Sequence, residues 1–149
     1  MENSNTFYDR LLRDQFNEEE QLDIVSKDPC FIMHMHDASI KVQEKAIGKD
    51  PNAIRHIRDQ SEYIKMFAIK QGCLLKYIKE PDYNMMYEAI DINPINIIYV
   101  DYNSISVDRT QLLDLAIHRG ARSIIEKSLE TNDCEKSKAV LKSLENKQN

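Results

Sequence analysis

Apolar residues along this chain return as adjacent pairs at a regular interval. Ile24-Val25, Ala46-Ile47, Ala68-Ile69 and Ala89-Ile90 form one series; Phe31-Ile32, Ala53-Ile54, Leu74-Leu75 and Asn96-Ile97 form a second, followed by Met35, Ile57, Ile78 and Val100. Polar punctuation keeps the same beat. Asn17, Ser39, Ser61 and Asp82 precede the first series at spacings of 22, 22 and 21 residues, and Ser104 opens a fifth unit. A second breaker divides each unit: Asp28-Pro29, Asp50-Pro51, Gly72 and Asn93-Pro94.

The second unit shows what this grammar dictates. Ser39 can accept from the free amides of a first helical turn, and Val42, Ala46 and Ile47 then share one helical face. The helix ends near Lys49, because a residue before proline is pushed out of the helical region. Asp50 caps a second helix, with Pro51 at the first position, where a missing amide costs nothing. The spacing therefore predicts two helices of two to three turns in each unit. The small residue of each Ala-Ile pair lets neighbouring first helices approach closely, so Ala46, Ala68 and Ala89 are expected to be nearly fully buried. Helices this short are not stable alone in water, and each unit must lean on its neighbours. The expected fold is all-α, a right-handed α-solenoid of about five helix-pair repeats with capping helices at both ends.

The chain reads as one domain over residues 1–149. Residues 1–16 supply an N-terminal cap helix with Phe7, Leu11, Leu12 and Phe16 inward and Asp9, Arg10, Arg13 and Asp14 on the wet side. Residues 17–104 hold four repeats, and Asn17 with Glu20 makes a capping box. Residues 105–149 hold a degenerate fifth repeat and a C-terminal cap helix: a second capping box at Asp108 and Gln111, a looser pattern through Ile124, Ile125 and Leu129 beyond Gly120, a turn at Thr131 to Asp133, and a last helix with Val140, Leu141 and Leu144.

Composition narrows the function. Among 149 residues, 25 acidic against 20 basic give a formal charge of -5, which argues against a phosphate-tracking surface and hence against nucleic acid as a direct ligand. The N-terminal stretch has neither the apolar run of a leader peptide nor the roughly 20 apolar residues of a membrane span, so a soluble cytoplasmic protein is expected. Cys30, Cys73 and Cys134 lack zinc-site pairing, and two repeats of separation keep Cys30 and Cys73 from bridging; a reducing compartment fits.

The stretch Ala68-Ile69-Lys70-Gln71-Gly72-Cys73-Leu74-Leu75-Lys76-Tyr77-Ile78-Lys79 resembles a short helical tandem-repeat family of unknown function, whose units read Ala-Val-Lys-Gln-Asn-Gly-x-Ala-Leu-x-Tyr. The family occurs in giant viruses, bacteriophages and intracellular bacteria. The likeness runs from Asn17 to Val100 and more weakly from Ser104 to Leu129. It departs at one missing residue before Gly72 and at Ile24, where the family prefers Ala. The resemblance implies the repeat fold and a viral or host-manipulating setting; it implies no catalytic site.

Candidate chemistry is sparse. His34, His56, Tyr77 and Tyr99 occupy one position of successive second helices and are expected to form a ring ladder, either filling the groove between helices or lining a binding surface. His34 and His36 lie on opposite sides of a helix and cannot share an ion, and Cys30 with His34 is only a pair, so no metal and no cofactor is expected. The run Glu18-Glu19-Glu20 suits a helix start. No nucleophile with its base, no paired carboxylates and no phosphate loop is present, so the chain reads as a non-enzyme. In the fourth unit Ile95 and Ile98 replace polar residues near Met85, Met86, Tyr87 and Tyr102, a surplus of apolar surface that either Ile105 to Val107 or a partner would cover.

The expected function is that of a protein-protein interaction module which occludes a host protein, with Arg55, Lys76, Ile98, Tyr99 and Tyr102 as contacts. The alternatives are a self-associating structural protein and a small-ligand binder with a closed pocket beside His56 and Tyr77.

Overall fold

The computed structural model describes residues 4–13, 15–100, 109–130 and 142. Among these there are helices and no strands, an all-α arrangement. The α-helices are α1 (Ser4–Leu12), α2 (Glu18–Lys27), α3 (Ile40–Lys49), α4 (Glu62–Lys70), α5 (Tyr83–Ile92), α6 (Arg109–His118) and α7 (Arg122–Glu130). Four 3-10 segments alternate with them: η1 (Pro29–His34), η2 (Pro51–His56), η3 (Leu75–Tyr77) and η4 (Pro94–Tyr99).

The second element of each of these four units is thus a 3-10 turn and not the second α-helix that the spacing suggested. Length is the physical reason. Bonds to the third neighbour close a ring over fewer residues, and at a rise of about 2.0 Å six residues span about 12 Å. Ten α-helical residues span about 15 Å, so the two elements come out similar in length within a 22-residue period. Backbone bonds such as Ala53 N–H to Asp50 O at 2.8 Å and Ile57 N–H to Ile54 O at 3.0 Å record the tighter winding.

One residue turns each corner. Asp50 donates its backbone N–H to Ala46 O at 3.0 Å, ending α3, while its carboxylate accepts from Asn52 N–H at 2.9 Å, starting η2. Asp28 and Asn93 do the same in their units. At the other corners Ser39, Ser61 and Asp82 cap α3, α4 and α5 from their side chains, and Asn17 with Glu20 closes a reciprocal box on α2. Gln21 and Gln43, each four residues past the cap, donate back to the carbonyls of Phe16 and Ala38 at 3.1 and 2.8 Å.

Packing runs in sequence order. Each of α2 to α6 lies against the next, and each of η1 to η4 against the next. Ala46, Ala68 and Ala89 are buried where the α-helices meet, with Ile47, Ile69 and Ile90 beside them; Ile32, Ile54, Leu75 and Ile97 complete the seam from the 3-10 side. The core is therefore one continuous apolar strip shared by all units.

The ends differ from the expectation in detail. The cap helix α1 stops at Leu12, short of Phe16, because Asn17 must already begin α2 and the chain has to turn first. Phe7 packs on Phe16 and Phe31 at ring centroid distances of 5.4 and 5.7 Å. Arg10, expected on the wet side, lies 4.3 Å over the Phe16 ring and pairs with Glu20 at 2.7 Å. At the other end α6 packs on α5 and η4, and Gly120 repeats the corner made by Gly72. Both glycines have φ of 90°, and in both the following N–H reaches back five residues, Cys73 to Ala68 O and Ala121 to Ala116 O. The segment beyond Gly120, which looked loose in sequence, is the α-helix α7 packed against η4. Asp108, the Ile105 to Val107 cover, the Thr131 to Asp133 turn, Cys134 and, apart from the helical Lys142, the last predicted helix lie outside the described residues. Gln111 accepts from the Tyr83 hydroxyl at 2.9 Å.

Candidate functional site

The 3-10 segments place side chains with a three-residue repeat, so residues three apart share a face. In each unit one position points into the seam and the next points out. The outward positions line up as Met33, Arg55, Lys76 and Ile98, all exposed. Beside them run the half-buried rings of His34, His56, Tyr77 and Tyr99.

The expected ring ladder is joined by cations and not by ring faces. The Arg55 guanidinium lies 5.5 Å from the Tyr77 ring centroid, and the Lys76 ammonium lies 4.9 Å from Tyr77 and 5.3 Å from Tyr99. The unit spacing explains this: packed elements about 8–10 Å apart leave room between successive rings for an alkyl stem and its charge. Among the described residues, the column's one ring neighbour is Phe31, 6.3 Å from His34 of its own turn.

Charge follows this geometry. Arg55 Nε donates to His56 Nε2 at 3.0 Å, which requires that nitrogen to be unprotonated. Burial first, and the Arg55 cation second, hold the His56 imidazole below its ordinary 6.5. Arg55 and then Lys76 hold the Tyr77 phenol below its usual range, and Arg55 is raised in turn, chiefly by Tyr77 and also by the Cys30 thiol. Among the described residues, neither Arg55 nor Lys76 pairs with a carboxylate; the ion pairs join Arg10 to Glu20, Lys27 to Asp23, Lys65 to Glu62, Arg119 to Asp91 and Arg122 to Glu126.

Of the five predicted contacts, Arg55, Lys76, Ile98 and Tyr99 fall on this one column, and Tyr102 lies outside the described residues. The polar wall that sequence reasoning missed is behind the column. Asn96, 1% exposed, accepts from Leu75 N–H at 2.8 Å and donates to Cys73 O at 3.3 Å and Ala89 O at 2.9 Å. Asn52 accepts from Leu74 N–H at 2.9 Å. Gln60 donates to Ile54 O and Tyr77 O and accepts from Lys79 N–H, all within 3.0 Å. Together they fix η3, whose unit lacks the Asp-Pro corner and whose turn is only three residues long. The signal available was a polar residue, Asn96, standing in an otherwise apolar rung.

His56 also lines a cleft of about 370 Å³ with Met35, His36, Asp37, Arg58 and Asp59, but Tyr77 is not among its walls. Cys30 and Cys73 are both free thiols. Among the described residues no group of three His, Cys, Asp or Glu side chains could hold a metal, and no helix is long and apolar enough to cross a membrane. Comparison with protein-family models, with curated proteins and with solved structures finds no match to this chain.

Proposed function

We propose that this chain is a non-catalytic interaction module, a right-handed α-solenoid that binds a protein partner along its 3-10 face and acts by occluding it. The observation that carries the reading is the exposed line Met33, Arg55, Lys76 and Ile98. It offers two cations without carboxylate partners, held over tyrosine rings on a scaffold whose corners are fixed by caps. Side chains already parked on rings lose little freedom on binding, so such a surface binds at low ordering cost. The repeat resemblance of residues 17–100 supports a viral, phage or bacterial factor acting in a host cytoplasm.

The test is a pull-down from lysate of the native host with the wild type and an Arg55→Glu, Ile98→Asp double variant. Both positions are exposed, so the fold should survive, as circular dichroism will check. A specific partner held by the wild type and released by the variant is the expected result; equal retention removes the site. A second reading, self-association, draws on Tyr87, Ile92 and Ile98, three exposed apolar residues of the fourth unit. It requires a molar mass that rises with concentration in light scattering, and the wild type is expected to show none.

A further inference from the structure

The order of side chains along the outward column carries more than its existence. From η1 to η4 it reads apolar, cation, cation, apolar: Met33 at 51% exposure, Arg55, Lys76, and Ile98 at 40%. In a chain of net charge -5, and among the described residues, these two cations lie over rings with no carboxylate at ion-pair distance. A guanidinium and an ammonium that keep their outward N–H groups are acceptor-seeking, and the apolar residues at either end set where apolar anchors must fall.

Resting on the reading of this face as a binding surface, we propose that its partner is an extended acidic peptide segment with an apolar residue at each end. Successive units lie about 8–10 Å apart, and a chain wound as polyproline II advances about 3.1 Å per residue with three residues per turn, so one unit matches one turn and every third side chain faces the column. The complementary pattern is apolar-x-x-acid-x-x-acid-x-x-apolar. The first acid meets Arg55 beside His56, and the second meets Lys76 between Tyr77 and Tyr99. The apolar ends meet Met33 and Ile98. A single-stranded nucleic acid could also use cations interleaved with rings, but it would bring charge at every step against an acidic protein, whereas the column offers two cations and then apolar surface.

The test uses the full chain and a fluorescein-labelled probe, Leu-Ser-Gly-Glu-Ser-Gly-Glu-Ser-Gly-Leu, read by fluorescence anisotropy. Three comparison ligands accompany it: the same peptide with Gln for both Glu, the same peptide with Ser for both Leu, and oligothymidylate. The expected result is saturable binding of the Glu probe that weakens about tenfold or more in the Gln probe and in an Arg55→Gln, Lys76→Gln protein, as loss of charge-assisted contacts requires. It should also weaken with added salt and with the Ser probe. The Gln probe alters no protein residue, so its result stands even if the double variant misfolds. Equal affinity for Glu and Gln probes would overturn the acidic assignment while leaving a docking face. Preference for oligothymidylate would overturn it in favour of a polyanion. No peptide binding, with the pull-down difference intact, would mean that the face takes a different partner surface and would equally overturn it.

Discussion

At the scale of single residues, Asn96 decides the most. Its amide meets three backbone groups of two units in a site closed to water, so truncation removes the partner of the Leu75 N–H and of the Cys73 carbonyl, while Ala89 O keeps its bond from Asn93 N–H. An Asn96→Leu variant is expected to lose about 3 kcal/mol of stability, measured as a shift in urea midpoint, although its side chain is of similar size and more apolar. Gln60, half-buried and nearer water, should cost less when changed to Leu. His56 gives a pH dependence whose sign follows from its lowered folded value. Below about 6.5 the unfolded imidazole takes a proton that the folded one resists, so its stabilising contribution is complete above 6.5 and is lost as pH falls through the folded value. Urea midpoints at pH 7.5 and 5.5 should therefore differ more in the wild type than in His56→Asn, and the His56 ring protons should titrate below the ordinary 6.5. The capping residues were legible in the sequence because each acts on its own chain neighbours. Asn96 and Gln60 were not, because four of their six bonds reach partners 17 to 23 residues away and no local pattern states who waits for them.

At the scale of elements, the corners distinguish two kinds of glycine. Gly48 lies inside α3 and a methyl group there would meet nothing within 4 Å; Gly72 is equally open, but its φ of 90° is one that L side chains rarely adopt. Gly48→Ala is expected to raise stability by about 0.5–1 kcal/mol, and Gly72→Ala to lower it by about 1 kcal/mol or more. Thermal melts of the two single variants, moving in opposite directions, would check both. The α-helices were readable from caps and paired apolar residues, whose 3.6-residue rhythm is distinct. The second elements were not: six residues with proline at the front contain too little period to separate α from 3-10, and length alone selects the tighter form. The same ambiguity hid α7, where Ala121 and Ile125 are buried but Ile124 is exposed.

At the scale of the whole molecule, one apolar strip threads every unit, and loss of order in one should be felt by all. Cys73 is a built-in reporter of this. Its thiol is fully buried and burial pushes it up to about 12, so it should resist alkylation while the chain is folded. Labelling of Cys73 is expected to follow the same urea dependence as global loss of helical signal, and Asn96→Leu should accelerate it; early labelling would mean that the third unit opens on its own. The candidate surface was partly legible at this scale, since repeat spacing alone aligned Arg55, Lys76 and Ile98. What stayed hidden was that the cations stand between the rings, because that depends on the distance between units and not on their period.

The three-residue turn η3 receives one amide partner from the unit before it, Asn52, and one from the unit after, Asn96. These units are consequently not interchangeable beads. A gene duplication that copied the third alone would leave one copy without its donor's acceptor on one side, whereas a block from the second through the fourth carries its own stitching. Anyone lengthening this array by design would have to copy that trio intact.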